Sequence, residues 1–267
     1  MRSNMKLSRT FYYNTFKHLL IADLIVYFTI LKKKFLDICI YVGITISIMG
    51  YVMPALGLSK QYGVFQLVSL IAAMGLLDVY ANVSGLVADF EGDFALSYQL
   101  TLPIPTRLIL LKIVCYYALT GIIVSFLVLP LGKLILWNQF DLTKISIIKF
   151  LIIVITANLF YGVYTLWLAS MISSMKQIGQ VWTRYNFPLY FLGCSQFSWE
   201  TLYNQAPILA YINLLNPVTL IMEGTRAAFL GQDGYLPFWY CTLGLTGFIL
   251  LYGLHALVRL KKRLDFV

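Results

Sequence analysis

The most regular feature of the chain is a series of long apolar runs separated by short polar segments. Six of these runs have the length of about 20 residues that a helix needs to cross a hydrocarbon layer of roughly 30 Å. The pattern therefore predicts an all-α integral membrane protein with six transmembrane helices. The six runs cover residues 35–55, 64–87, 108–136, 145–172, 178–198 and 238–258.

The composition supports this interpretation. Hydrophobic residues make up 60% of the chain, charged residues make up only 12%, and the mean hydropathy is +0.80. These values lie outside the range of soluble globular domains. The net charge of +9 does not indicate a nucleic-acid-binding protein, because the basic residues cluster at the borders of the apolar runs. We expect membrane lipid as the partner of these charges, and no nucleic acid.

The N-terminal region differs from the rest. Its apolar run, residues 19–31, is only 13 residues long, contains Asp23 and is closed by lysines at 32–34. Because this run is too short to cross, we expect an amphipathic helix in the membrane interface, with an additional span as the alternative. We accordingly divide the chain into an N-terminal cytoplasmic and interfacial region, 1–34, and a single transmembrane domain, 35–267.

The distribution of Lys and Arg predicts the orientation, because positive residues are retained on the cytoplasmic side of short loops. An even number of spans places both termini on one side. If that side is cytoplasmic, fourteen of the twenty Lys and Arg residues lie there and five lie at or near the other side. We therefore expect a multi-pass protein of the cell (inner) membrane with cytoplasmic N- and C-termini.

The loop between the second and third spans has the features of a short cytoplasmic helix. Its three acidic residues at 89, 91 and 93 would lie at the favourable end of the helix dipole. Two prolines then stop any helix. Such a segment suits contact with a soluble partner, and an interfacial helix without a partner is the alternative. The residues expected to couple to a partner are Glu91, Phe94, Leu100, Pro103, Pro105, Arg107 and Lys112.

A second short helix is predicted between the fifth and sixth spans. Asn216 can cap its start, Pro217 suits its first position, and Gly231 suits the turn after its end. Such a helix is about 21 Å long, too short to cross. Glu223 and Arg226 share one face and can pair. Because a charge at the bilayer centre costs about 2.5–3.5 kcal/mol, we expect both at the outer headgroup level.

Two segments resemble the permease subunits of ABC transporters of the ABC-2 type. The run from YFLGCSQF to NPVTLIMEGTRAAFLG, residues 190–231, is similar to the family's fifth span, small-residue turn, Asn-Pro and outer helix with an Arg. The run LTLPIPTRLILLK, residues 100–112, is similar to its cytoplasmic proline segment that leads to a Lys below the third span. The terminal RLKKRLDF also matches the family's ending, whereas FEGDFALSYQ lacks its Glu-Arg and Gly-Thr pattern.

The resemblance implies the permease subunit of an ATP-driven exporter, in which two permease chains form one pathway as a homodimer or a related heterodimer. A separate ATPase subunit would bind below residues 89–105, and the short helices at 206–230 would form the outer exit as re-entrant helices. The chain contains no GxxxxGK[ST] phosphate loop, so ATP and Mg belong to the partner and no cofactor is expected on this chain. The expected substrate is a lipid-linked glycan, a lipid or an amphipathic small molecule.

A secondary transporter or channel that works without an ATPase is the alternative function, and a membrane scaffold is a third. Asp78 and Asn82 lie one helical turn apart in the second span. Their role is either an ion relay or a polar contact between helices. Arg184 either lines the transport pathway or extends its side chain to the inner membrane surface. His18 and His255 have no neighbours at metal-ligand or catalytic-triad spacing, so we expect no enzyme, no catalytic residue and no metal site.

Overall fold

The computed structural model describes residues 9–93, 98–99, 101–137, 139–141, 143 and 145–264, and all regular structure in them is helical. Five of the helices in these ranges are long and apolar enough to cross a membrane. The helices are α1 Arg9–Ala55, α2 Tyr62–Ala88, α3 Thr106–Ile135, α4 Ile147–Met171, α5 Phe187–Leu192, α6 Trp199–Gln205, α7 Pro207–Asn213, α8 Pro217–Phe229 and α9 Phe238–Leu264. The chain is therefore an all-α protein whose helices suit a multi-pass membrane protein.

The N-terminal region departs from its prediction. Helix α1 runs from Arg9 to Ala55 without a break at lysines 32–34, so the N-terminal segment and the first predicted span form one helix, and the division of the chain after residue 34 stays a prediction. Lysine is a good helix former, and no Gly or Pro occurs before Gly43, so nothing in the sequence ends the helix there. Its 47 residues extend over about 70 Å, more than twice the thickness of a hydrocarbon core. Part of α1 therefore lies outside any bilayer that it crosses.

The fifth predicted span is not one of the five long helices found in the described residues. In its place a π-helical turn, Val181–Asn186, leads directly into the short helix α5. Pro188 accounts for the wide turn, because proline has no amide to donate and its ring clashes with the carbonyl four residues earlier. Residues 179–192 are helical and cover about 21 Å, so the sixth crossing stays a prediction.

The other predicted spans agree with the structure to within two residues at most ends. Helices α2, α3 and α4 match the second, third and fourth spans, and α9 starts at Phe238 as predicted but continues to Leu264. The predicted proline stop is also confirmed, because residues 102–105 are not helical and α3 begins at Thr106. Phe94 and Leu100, two of the expected coupling residues, lie outside the described residues.

Helices α1 to α4 alternate in direction and α9 runs parallel to α4, so the connections gather at two ends. The backbone amide of Met175 donates to Glu91 Oε1 (3.2 Å) at one end. The amide of Ser146 donates to the carbonyl of Ala228 (2.9 Å) at the other. Among the described residues, the basic end contains 89–93, 98–99, 101–105, 172–178 and 259–264, and the opposite end contains 56–61, 136–137, 139–141, 143, 145–146 and 193–237.

Glycines allow the central helices to approach closely. A Cβ atom on Gly162 of α4 would lie 2.6 Å from the carbonyl oxygen of Val114 in α3. A Cβ on Gly75 of α2 would overlap the ring of Tyr161 in α4. Small residues at helix contacts are typical of membrane bundles, where close backbone packing replaces the hydrophobic effect as the source of association.

We predict that replacing two helical glycines by alanine changes the stability of the protein in opposite directions. Gly162→Ala would force the backbones of α3 and α4 apart and lower the unfolding temperature in detergent, because a backbone carbonyl cannot move aside. Gly247→Ala is the matched control, because beyond its chain neighbours and its own helix backbone nothing lies within 4 Å of its added Cβ, and the gain in helix propensity should stabilise the protein by up to about 1 kcal/mol. Equal unfolding temperatures for the two variants would contradict this packing.

Candidate functional site

The short helix α8 forms as the sequence predicts. The side chain of Asn216 caps its start by accepting from the amide of Val218 (2.9 Å), Pro217 takes the first position, and Gly231 follows its end with φ of +107°. Asn216 also donates to the carbonyl of Leu189 in α5 (2.9 Å). All thirteen residues of α8 are buried, so this helix is enclosed by its neighbours and does not lie flat on a surface.

Glu223 and Arg226 of α8 form a buried ion pair. Arg226 Nη1 lies 3.0 Å from Glu223 Oε1, and both side chains have 0% exposure. The predicted pairing is confirmed, the pair is enclosed by protein, and its depth at the outer headgroup level stays a prediction. The two charges tolerate burial because each is also hydrogen-bonded by further groups, without which the desolvation cost would be several kcal/mol per ion.

Residues 193–198 form a turn, here called the carbonyl turn. Three of its backbone carbonyls accept hydrogen bonds from the Arg226 guanidinium. Arg226 Nη2 donates to the carbonyls of Cys194 (2.6 Å) and Ser195 (3.2 Å), and Nη1 donates to that of Phe197 (3.1 Å). Cys194 has φ of +60°, a left-handed conformation that is uncommon for a side chain other than Gly. The strained turn persists because one guanidinium bonds several of its carbonyls.

Helix α2 supplies the remaining contacts of Arg226. Its Nη2 donates to Ser69 Oγ (2.7 Å), and its Cζ lies 3.8 Å from the centre of the Phe65 ring, in a cation–π arrangement. Ser69 is seven residues after the start of α2, about 10 Å along the helix axis. The ion pair therefore joins α8 and the carbonyl turn to the first half of a long helix.

Glu223 connects α8 to two further segments. The amide of Trp199 in α6 donates to its Oε1 (3.0 Å), and the amide of Leu236, just before α9, donates to its Oε2 (3.2 Å). Burial raises the pKa of Glu223, while the Arg226 charge and the two amides oppose this shift. Burial likewise lowers the pKa of Arg226, against the opposing charge of Glu223. Five segments of the opposite end thus meet at one pair of charges.

At the basic end, Lys112 of α3 is buried and joins two other segments. Its Nζ lies 2.5 Å from Asp23 Oδ2 of α1 and donates to Gln99 Oε1 (2.9 Å) in the loop before α3. The Lys112 side chain is only 4% exposed, so this charge depends on its partners. Of the expected coupling residues, Lys112 and Glu91 have side chains bonded to neighbouring segments, whereas Pro103, Pro105 and Arg107 are exposed.

The polar residues expected along a pathway separate into different environments. Asp78 pairs with Lys34 of α1 at 2.5 Å, which is the second of its two predicted roles, a polar contact between helices. The carbonyl of Asn82 accepts from the Tyr117 hydroxyl of α3 (3.4 Å). Arg184 is exposed and donates to Gln180 Oε1 (3.1 Å). The structure therefore does not bring these three residues together.

Sequence reasoning missed the residues that surround the guanidinium and a buried amide in α4. Asn158 is 2% exposed, donates to the carbonyl of Val154, and lies where a Cβ on Gly75 or Gly121 would clash. An Asn inside an apolar run is the signal that indicates such a position. Ser69 had no comparable signal, because its role depends on a residue 157 positions away.

The comparisons with known proteins add no family. The chain matches no protein-family model, and no curated protein matches it.

We predict that Arg226→Met destabilises the protein by about 3–5 kcal/mol, because the carboxylate of Glu223 loses its counter-charge while buried. The double variant Glu223→Leu with Arg226→Met should recover part of this loss, since it leaves no unpaired charge. Thermal unfolding in detergent measures both effects. Arg184→Met, which removes an exposed arginine, is the control, and an Arg226→Met protein as stable as this control would contradict the prediction.

Proposed function

We propose that the chain is the membrane-spanning permease subunit of an ATP-driven exporter of the ABC-2 type, coupled to a separate ATPase subunit. The observation that supports this best is the attachment of the loop at residues 89–105. Lys112 and Gln99 connect it to α1 and α3, and Glu91 connects it to the turn after α4. A force applied to this loop from the aqueous side would thus reach four long helices together, because α2 runs directly into it.

The opposite end provides the matching element. Short helices α6 to α8 do not cross, and the Glu223–Arg226 pair holds them to α2. Since α2 contacts the loop at one end and the ion pair near the other, a movement of α2 displaces both. In an exporter this arrangement couples ATP-driven closure of the partner to the outer exit.

The proposal includes the partners that the resemblance implies. ATP and Mg are bound by the ATPase subunit, and a second permease copy, identical or related, completes the pathway. The protein resides in the cell membrane with both termini in the cytoplasm, so that the basic end faces the ATPase. The substrate is a lipid-linked glycan, a lipid or an amphipathic small molecule. In a gradient-driven transporter an acid within a span would carry the ion, whereas Asp78 is paired with Lys34.

Cross-linking tests the position of the ATPase. In a background without the four native cysteines, Tyr98→Cys at the basic end should cross-link to the co-expressed ATPase that is encoded nearest to this chain. Leu215→Cys at the opposite end should not. The two positions are 69% and 75% exposed, so their reactivity is comparable. Failure of the ATPase to copurify, or equal cross-linking from both positions, would overturn the proposal.

A second test removes one contact of the loop. Asp23→Asn takes the counter-charge from Lys112, so the complex should still assemble while the chain stimulates ATP hydrolysis less than the wild type does. Asp37→Asn is the matched control, since Asp37 is an exposed acid on the same helix. Hydrolysis rates of reconstituted complexes measure the effect. Equal stimulation by the two variants would show that the contact of Lys112 with α1 does not transmit the movement.

A further inference from the structure

A cleft at the basic end lies between the last turns of α4 and α9. Its volume is about 590 Å³. No acidic residue is among the described residues that line it, whereas three of them have basic side chains and belong to α9. The lining consists of Ser170, Met171, Ser173, His255, Val258, Arg259 and Lys262. The cleft therefore combines positive charge and hydroxyl groups at one place between two helices.

The position of the proton on His255 follows from its neighbour. Trp167 Nε1 of α4 donates to His255 Nδ1 (2.8 Å). Because indole nitrogen is a donor only, Nδ1 must accept, and the neutral imidazole carries its proton on Nε2. The contact with α4 thus fixes the ring and leaves His255 with an N–H group as its remaining polar function.

Arg259 and Lys262 follow His255 by four and seven residues, so the three lie on one face of α9. Both side chains are exposed, and no ion pair involves either of them within the described part of the chain. The C-terminus of α4 contributes a partial negative charge of about one half. Two full positive charges exceed it, so the cleft attracts an anion.

The surface beside the cleft is apolar. Along α9, Leu250, Leu254 and Val258 are 62%, 65% and 56% exposed, and Val258 also lines the cleft. In a membrane this row faces lipid chains, and the basic residues lie at the headgroup level. A ligand that satisfies both features has an anionic head and an apolar body.

We propose that this cleft binds the phosphate group of an anionic phospholipid. Arg259 and Lys262 pair with the phosphate oxygens, and His255 donates a hydrogen bond from Nε2. The acyl chains lie along Leu250 and Leu254. The bound lipid then occupies the cleft between α4 and α9, beside the Trp167–His255 hydrogen bond. This proposal requires a membrane position for the chain but does not rest on the ATPase partner.

Native mass spectrometry of the purified full chain tests the site. Detergent-solubilised protein is titrated with phosphatidylglycerol, and with phosphatidylcholine as the zwitterionic reference. We expect one phosphatidylglycerol to be retained. Arg259→Gln and Lys262→Gln should each weaken this binding about fivefold, because each removes the attraction that one basic residue contributes at an anionic surface.

Lys261→Gln is the matched control, because Lys261 is exposed on the same turn of α9 but does not line the cleft. It should retain the lipid as the wild type does, and unfolding temperatures should show that all three variants fold. Equal weakening by Lys261→Gln would indicate a general attraction to anionic surfaces and overturn the site. Displacement of the lipid by millimolar inorganic phosphate would overturn the lipid as the ligand in favour of free phosphate.

Discussion

The arrangement of residues 193–237, at the end opposite the basic end, depends on the buried guanidinium of Arg226. Arg226 has no exposed surface, so its charge and the donors on Nη1 and Nη2 find their partners within the protein. The acceptors come from α8, the carbonyl turn and α2, three parts of the chain that no short connection holds together. Each of them is thereby restricted to one position relative to the others. A solvent-exposed arginine would impose no such restriction, because water would replace any lost partner.

Whether a feature depends on local or on distant contacts decides whether it could be predicted from the sequence. The cap at Asn216, the turn at Gly231 and the proline stop before Thr106 are local, since each depends on the conformational preferences of one or two residues. The pairing of Glu223 with Arg226 is also local, as a spacing of three residues places both on one helix face. The central apolar spans were predicted well for the same reason.

Features that depend on contacts distant in sequence were not predicted. The left-handed conformation of Cys194 has no signal in its own residue type, because it is held by a guanidinium 32 positions away. The enclosure of the Glu223–Arg226 pair by protein was not predicted, since the cost of burying a charge was considered without the distant acceptors that offset it. The continuation of α1 through lysines 32–34 was not predicted, because the apolar pattern ends there although lysine is a good helix former.

Arg226 links α8 to α2 through its hydrogen bond to Ser69. A double-mutant cycle of Ser69→Ala and Arg226→Met measures that link most directly, because Ser69 is the hydrogen-bonding partner that α2 provides. If this link holds, the changes in unfolding free energy caused by the two substitutions are non-additive by about 0.5–3 kcal/mol, as for residues in one hydrogen-bond network. Effects that add within about 0.3 kcal/mol would show that the contact transmits no energy between the helices and would contradict the account.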